Sequence, residues 1–262
     1  MKYFVSLAYN GTKYHGWQQQ INADSVQETL EKHMSIKLKE PIKLTGAGRT
    51  DTGVHASYFV ASFEAKNNNL NNKEIIHQLN RFLPPDISIF QIVKVIPKAN
   101  ARFDAISRTY HYFFTTYKNA FLMPYTYHVY FPVNLDKMNE TLEYLKGEHN
   151  FEAFSKKDKT AKTSICNVME TLCNPTDYGF YIKIKANRFL RNMVRAIVGT
   201  VLEMEKQQLH PNHIMEILNS QDRAKAGSSA PAQGLFLTNI EYPNNIFVEE
   251  KLLPPQKHFL VL

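Results

Sequence analysis

The chain has 262 residues, of which 44% are hydrophobic and 12% are aromatic. This composition excludes an intrinsically disordered chain, which would be poor in aromatic and β-branched residues. Lysine and arginine outnumber the acidic residues by 31 to 24, which gives a formal charge of +7 and favours an acidic partner such as nucleic acid.

Three further features narrow the class of protein. No apolar run reaches the ~18–20 residues that a membrane span requires, so no membrane association is expected. The first nine residues lack the apolar core and cleavage site of a signal peptide. Cys166 and Cys173, with six residues between them, fit neither a disulfide framework nor a zinc site. These features together predict a cytoplasmic protein without a metal.

Residues 1–104 predict an α/β half with the order strand, helix, two strands, helix, strand. The first strand, residues 3–8, is followed by Asn10-Gly11, a strong short hairpin signal that predicts a turn before the first helix. Ser25 and Glu28 form the pattern of a capping box, and the helix that they start is expected to end near Lys39. The remaining predicted elements of this half are strands at 42–45, 58–63 and 87–96 and a helix at 74–81.

Residues 105–242 predict a second α/β half. Its expected strands are 109–116, 165–172, 180–186 and 235–240, and its helices are 135–145 and two more after Arg188 and Pro211. Residues 243–262 are predicted to form an extension without an assigned function. Strands and helices mixed at this spacing favour an α+β fold of two similar halves whose sheets can join.

Residues 46–56, with the sequence GAGRTDTGVHA, form the best candidate for a functional site. Three glycines in eight positions let the backbone bend and approach a ligand closely, and Arg49 and Asp51 lie between them. The alternative is an ordinary turn with a solvated arginine and aspartate. A phosphate-binding loop would need a Gly-Lys-Ser/Thr that is not there, and an aspartic protease would need a symmetric dimer to supply its second Asp-Thr-Gly.

The same run resembles the signature G-R-T-D-x-G-V-H-A of the TruA family of tRNA pseudouridine synthases at every fixed position. Other family motifs have counterparts in the expected order along nearly the whole chain: residues 16–20 (GWQQQ), 108–112 (RTYHY), 147–154 (GEHNFEAF), 185–195 (KANRFLRNMVR) and 230–235 (APAQGL). Asn150 departs from the family pattern, which usually has Asp at that position.

The resemblance implies the pseudouridine synthase fold, with a mixed, largely antiparallel central sheet around a cleft. It also implies an isomerase that detaches uracil from its ribose, rotates it and reattaches it through carbon, without a cofactor. The expected substrate is tRNA, at positions 38 to 40 on the 3′ side of the anticodon stem-loop. The family further implies a homodimer in which one tRNA contacts both subunits.

By the same resemblance, Asp51 is the nucleophile and attacks either the base or the sugar carbon. Arg195 is its cationic partner, since a pair ~4 Å apart gains ~4 kcal/mol before desolvation at an effective dielectric of 20. Tyr110 stacks on the target uracil, Leu235 forms an apolar wall for it, and Arg49 fills the space that the flipped uridine leaves.

The residues themselves leave alternatives open. The segment from Phe189 onward predicts a helix with one apolar face and with Arg191 and Arg195 on the other, which an ordinary amphipathic helix would also show. Trp17 and His55 are expected to be structural. The lysines of residues 156–162 form a basic loop that is solvated surface in most proteins and that would contact phosphate on an RNA enzyme. The alternative functions are a catalytically silent RNA-binding protein of the same fold and a dimeric aspartic protease.

Overall fold

The structure, a computed structural model, describes residues 1–66, 70, 72–156 and 163–254. The strands β1 to β10 are Lys2–Tyr9, Thr45–Gly46, His55–Glu64, Ile87–Val95, Ser107–Thr115, Tyr127–His128, Gly147–Asn150, Ile165–Thr176, Gly179–Ala186 and Leu235–Glu241. The helices α1 to α5 are Val26–Leu38, Lys73–Phe82, Leu135–Glu143, Met193–Lys206 and His213–Ser220. None of these helices is both long enough and apolar enough to cross a membrane.

The described residues group into two compact units. The first contains Met1–Ile106 together with the described residues from Leu237 onward, and the second contains Ser107–Phe236. Each unit combines a sheet with helices, so the predicted α+β class is confirmed. The division into residues 1–104, 105–242 and 243–262 stays a prediction.

The sheet of the first unit has the strand order β4-β1-β3-β10. The two residues of β2 pair with Ala61 and Ser62, near the carboxyl end of β3. β1 runs antiparallel to both neighbours, so that Val5 is paired with Ala61 and with Ile92. Most side chains of β1 and β3 are buried, and most residues of both strands are accordingly apolar. The loop that carries Asp51 leads into the first residue of β3, so this paired strand supports the loop.

The sheet of the second unit has the strand order β5-β9-β8-β7. The pairs of β9 with β5 and β8 and of β8 with β7 are antiparallel, whereas the short strand β6 runs parallel to its neighbour β5. The predicted mixed, largely antiparallel arrangement therefore holds within the unit. In α4 ten of the fourteen side chains are buried, so this helix forms part of the core.

The helix prediction at Ser25 is confirmed, and so is the prediction of a strand and a turn ending near Asn10 and Gly11. Ser25 Oγ accepts a hydrogen bond from the Glu28 backbone N–H at 3.3 Å, and the helix ends at Lys39 in a left-handed conformation. At Asn10 the side chain accepts from the Thr12 N–H, and the chain turns into a 3₁₀ turn. The amide side chain thus stabilises the turn by accepting a hydrogen bond from the backbone two residues on.

Several other elements differ from the predictions. The strand predicted at residues 42–45 is reduced to the two residues of β2, and the short strands β6 and β7 were not predicted. Arg191 is not part of α4, because Asn192 has a left-handed backbone with φ 65° and the helix begins only at Met193. Of the predicted basic loop, only Lys156 lies within the described residues.

Candidate functional site

Asp51 lies in the loop between β2 and β3, in the first unit. Thr50 is buried, whereas Arg49 is exposed and Asp51 is partly exposed. The hydroxyl of Thr50 is hydrogen-bonded to the Tyr9 hydroxyl at 2.9 Å. The loop therefore points one side chain into the core and leaves its charged neighbours accessible.

The backbone on both sides of Asp51 is fixed by the preceding segment. The Trp17 N–H donates to the Thr50 carbonyl at 3.3 Å, and the Gly53 N–H donates to the Tyr14 carbonyl at 3.3 Å. The Val54 N–H closes a tight turn on the Asp51 carbonyl at 3.1 Å, with Gly53 at φ +76°. A positive φ at the third position is what a type II turn needs, and glycine supplies it without strain.

Trp17 forms the floor of the loop. Its side chain is 2% exposed and stacks on Phe59, with the ring centroids 4.1 Å apart. A side chain at Gly46 would overlap the indole, whereas nothing lies within 4 Å of a Cβ added at Gly48. Only one of these two glycines is therefore required by packing.

His55 is also structural. It is 1% exposed, and its Nδ1 accepts a hydrogen bond from the Gly11 N–H at 3.1 Å. This bond joins the start of β3 to the segment that follows β1. His55 is thus a buried residue that stabilises the end of the loop and does not face a substrate.

An open depression adjoins the loop within the first unit. Its lining includes Gln18, Gly48, Arg49 and Arg102. Two guanidinium groups and a side-chain amide offer hydrogen-bond donors there, which is a chemistry suited to an anionic group.

In the second unit, Tyr110 and Tyr112 lie two residues apart on β5. Tyr110 is half-buried and meets the ring of Phe189 edge-on, at 5.1 Å between centroids. Tyr112 is fully buried, and its hydroxyl donates to the Pro231 carbonyl at 2.9 Å. Burial raises the pKa of Tyr112 well above its ordinary value, although the charge of Arg195 acts in the opposite direction. Tyr112 therefore stays neutral and structural.

Arg195 lies in the first turn of α4 and is held by the backbone of Ala230. Its Nε donates to the Ala230 carbonyl at 2.7 Å, and its own carbonyl accepts from the Ala230 N–H at 2.9 Å. Gly199, one turn further on, permits this contact, because a Cβ there would collide with the Ser228 carbonyl oxygen.

The segment held by Arg195 leads directly to Leu235. A 3₁₀ turn, Ala232–Gly234, follows, and Leu235 then begins β10 with 5% of its surface exposed. Upstream, Ser229 Oγ accepts from the Asn192 side-chain amide at 2.6 Å and from the Arg223 guanidinium at 3.1 Å. Residues 229–235 thus form one segment that is held by several hydrogen bonds, and this segment both contacts Arg195 and carries Leu235.

The structure places the predicted site residues in two groups. Arg49 and Asp51 share one loop of the first unit, and Tyr110, Arg195 and Leu235 belong to the second unit. Sequence reasoning missed the backbone contacts of Trp17 and Ala230. It also missed Arg223, whose bonds go to a hydroxyl and a carbonyl, groups that leave no pattern in a sequence. Tyr112 could have been found from its two-residue spacing to Tyr110.

The chain is similar to known proteins along most of its length. A family model described as tRNA pseudouridine synthase matches residues 6–104 and 142–243. A protein of Bacteroides fragilis named tRNA pseudouridine synthase A is 46% identical over 247 residues, which cover 94% of this chain and 98% of that protein. Proteins of the same name from Bacteroides thetaiotaomicron and Acetivibrio thermocellus are 47% and 37% identical, over 95% and 90% of this chain and 93% and 97% of their own.

Proposed function

We propose, from the premise that this chain belongs to the tRNA pseudouridine synthase family, that Asp51 is the nucleophile of its reaction and that its target lies in the anticodon stem-loop. The chain is an isomerase that converts uridine in tRNA to pseudouridine.

The reaction conserves every atom of the nucleoside. The bond between N1 of uracil and C1′ of ribose breaks, a bond between C5 and C1′ forms, and the proton on C5 is exchanged for one on N1. Since nothing is oxidised or reduced, we propose that no cofactor takes part. A carboxylate can act as the nucleophile without an activating base, which fits Asp51.

The observation that carries the assignment of Asp51 is the fixed backbone around it. Hydrogen bonds from the Trp17 N–H to Thr50 and from the Gly53 N–H to Tyr14 hold the loop one residue before and two residues after Asp51, and the Asp51 side chain remains partly exposed. A catalytic group held within a fraction of an ångström before the substrate arrives avoids much of the entropic cost of the reaction.

We assign supporting roles to the other four residues. Arg195 supplies positive charge to the carboxylate of Asp51, Tyr110 stacks on the uracil, and Leu235 covers it with an apolar wall. Arg49 takes the space in the stem that the extruded uridine leaves, which lowers the cost of a few kcal/mol for unstacking.

We further propose that the enzyme is a cytoplasmic homodimer in which one tRNA contacts both subunits. The charge of +7 supports binding to the phosphate backbone. Backbone contacts carry no base information, so they suit an enzyme that accepts several neighbouring uridines in different sequences.

The test is the position of pseudouridine in an unmodified tRNA transcript after incubation with the purified protein in metal-free buffer. Modification confined to the 3′ side of the anticodon stem-loop is expected. Modification elsewhere in the tRNA would contradict the proposed target. Binding of tRNA without any pseudouridine would indicate a silent RNA-binding protein instead.

A further inference from the structure

A short turn in the first unit, residues 100–104, presents an arginine and an exposed phenylalanine side by side. Phe103 is 76% exposed, and the guanidinium carbon of Arg102 lies 5.6 Å from the centre of its ring. An exposed aromatic ring next to a cation is the chemistry with which proteins bind unpaired nucleotides.

The turn is closed by its own hydrogen bonds. The side-chain oxygen of Asn100 accepts from the N–H groups of Arg102, at 2.9 Å, and Phe103, at 3.2 Å. The Asn100 N–H in turn donates to the Asp104 carboxylate at 2.7 Å, and the Asp104 N–H donates to the Asn100 carbonyl at 3.1 Å. Little conformational entropy is therefore left to lose when a ligand binds to this turn.

The base of the turn is anchored in the first unit. Ala101 is completely buried, and its carbonyl accepts from the Tyr242 hydroxyl at 2.7 Å. Where the chain leaves the turn, the Ile106 N–H donates to the Glu241 carbonyl at 2.8 Å. The two residues after the buried alanine thus extend from a rigid support.

Arg102 also lines the depression beside the nucleophile loop, together with Arg49. None of the described residues that line it is acidic. Gln18 adds an amide donor, and Gly48 leaves open space at the wall. Two guanidinium groups without a carboxylate among the lining residues fit a phosphodiester, which arginine can bind through two parallel hydrogen bonds.

From these contacts we infer that Arg102 binds a backbone phosphate of the tRNA in this depression and that Phe103 stacks on an unpaired nucleotide of the same strand. The inference rests on the proposed function, since it takes tRNA as the ligand. An unpaired nucleotide is required because the faces of paired bases are covered by their neighbours. The bound phosphate would lie next to the uridine that Arg49 and Asp51 act on.

The experiment measures the Kd for an unmodified tRNA transcript at several KCl concentrations, with the single-turnover rate at saturating tRNA. Phe103→Ala is expected to raise Kd at least about fivefold with little change in the salt slope, because stacking involves no ion release. Arg102→Ala is expected to raise Kd and to reduce the slope of log Kd against log salt by about 1.

Matched variants separate these effects from general ones. Phe103→Tyr keeps the ring and should bind like the wild type, which shows that a loss in Phe103→Ala is not a folding defect. Phe121→Ala removes a ring that is 89% exposed in the second unit, and Arg81→Ala removes an exposed cation from α2. Both control variants should keep the Kd and the salt slope of the wild type.

Two results would overturn the inference. The first is that both single variants, Phe103→Ala and Arg102→Ala, bind tRNA with the Kd of the control variants while the wild type makes pseudouridine. The other is a Phe103→Ala protein that changes its sedimentation mass and keeps its Kd, which would make the turn a protein contact. A wild type that neither binds nor modifies tRNA would refute the proposed function instead.

Discussion

At the scale of single residues, the Arg195 side chain and the loop backbone around Asp51 are both held by backbone atoms of other segments. Arg195 exchanges two hydrogen bonds with Ala230, one through its side chain and one through its main chain. Asp51 is flanked by residues that bond to the backbone of Tyr14 and Trp17. Bonds of this kind depend on the path of the chain, so they fix a side chain without a partner that sequence would reveal.

The contact of Arg195 with Ala230 predicts that lysine cannot replace it. Arg195→Lys keeps the charge but has no Nε–H at the position that donates to the carbonyl, so the cation is no longer oriented. We expect kcat for pseudouridine formation to fall at least about tenfold, which corresponds to a loss of about 1.4 kcal/mol, with a smaller change in tRNA affinity. Arg191→Lys, at an exposed position before the helix, is the control and should keep wild-type kcat. Equal kcat values for the two variants would contradict the role of this bond.

The two buried cysteines predict how stability depends on pH. Burial raises the pKa of Cys166 to about 11 and that of Cys173 to about 12, from an ordinary value of 9.0. The folded state therefore favours the protonated thiols, and this contribution is complete below the unfolded pKa and is lost as pH rises toward the folded values.

We expect the melting temperature to fall as pH is raised from about 9 toward 11, with scans at several pH values as the measurement. In the same preparation, iodoacetamide at pH 8 should leave both thiols unmodified unless the protein is denatured, since about one thiol in a thousand or fewer is ionised. Rapid stoichiometric alkylation of the native protein would contradict the burial of these residues.

At the scale of elements, how well a strand or helix could be predicted depended on where its signal comes from. α1 was predictable because its capping residue and apolar spacing are local. β6 and β7 were not, since each is a short strand that pairs with a neighbour across an intervening loop and carries no apolar pattern of its own. The start of α4 was missed because the left-handed Asn192 interrupts a pattern that continues smoothly through it.

The same distinction holds for the candidate site. Its residue types and their spacing could be named from the sequence, down to the loop with Arg49 and Asp51. The contacts that position them could not, since Ala230 and Trp17 act through backbone atoms or packing. Arg223 carries no signal at all, because its partners Ser229 and Ala226 are ordinary small residues.

The approach of Ser228 to α4 predicts a test at the element scale. Gly199→Ala places a Cβ against the Ser228 carbonyl, so the segment that holds Arg195 must shift. We expect a loss of about 1–3 kcal/mol in the free energy of unfolding despite the better helix propensity of alanine. Gly48→Ala meets open space and should leave the free energy of unfolding within about 0.5 kcal/mol of the wild type. Urea denaturation measures both, and a neutral or stabilising Gly199→Ala would refute the close approach.

At the scale of the whole molecule, 31 basic and 24 acidic residues give a formal charge of +7, which is expected to favour binding of the tRNA phosphate backbone. Each phosphate contact releases condensed counterions, so the affinity falls with salt and log Kd should rise linearly with log salt. With six to ten contacts, the Kd should rise about 10³- to 10⁵-fold between 50 and 200 mM salt. Fluorescence anisotropy with a labelled transcript measures the slope, and an affinity independent of salt would contradict recognition through the backbone.

The most direct test of the proposed mechanism replaces the nucleophile by its isosteric amide. Asp51→Asn keeps the size and the tight turn but removes the carboxylate, and Asp24→Asn makes the same change at an exposed position before α1. Pseudouridine formed in a single turnover on saturating tRNA is measured for the wild type and both variants, with tRNA binding as a check of folding. We expect Asp51→Asn to bind tRNA and form no pseudouridine, while Asp24→Asn matches the wild type. Pseudouridine formation by Asp51→Asn at a rate near that of Asp24→Asn would show that Asp51 is not the nucleophile.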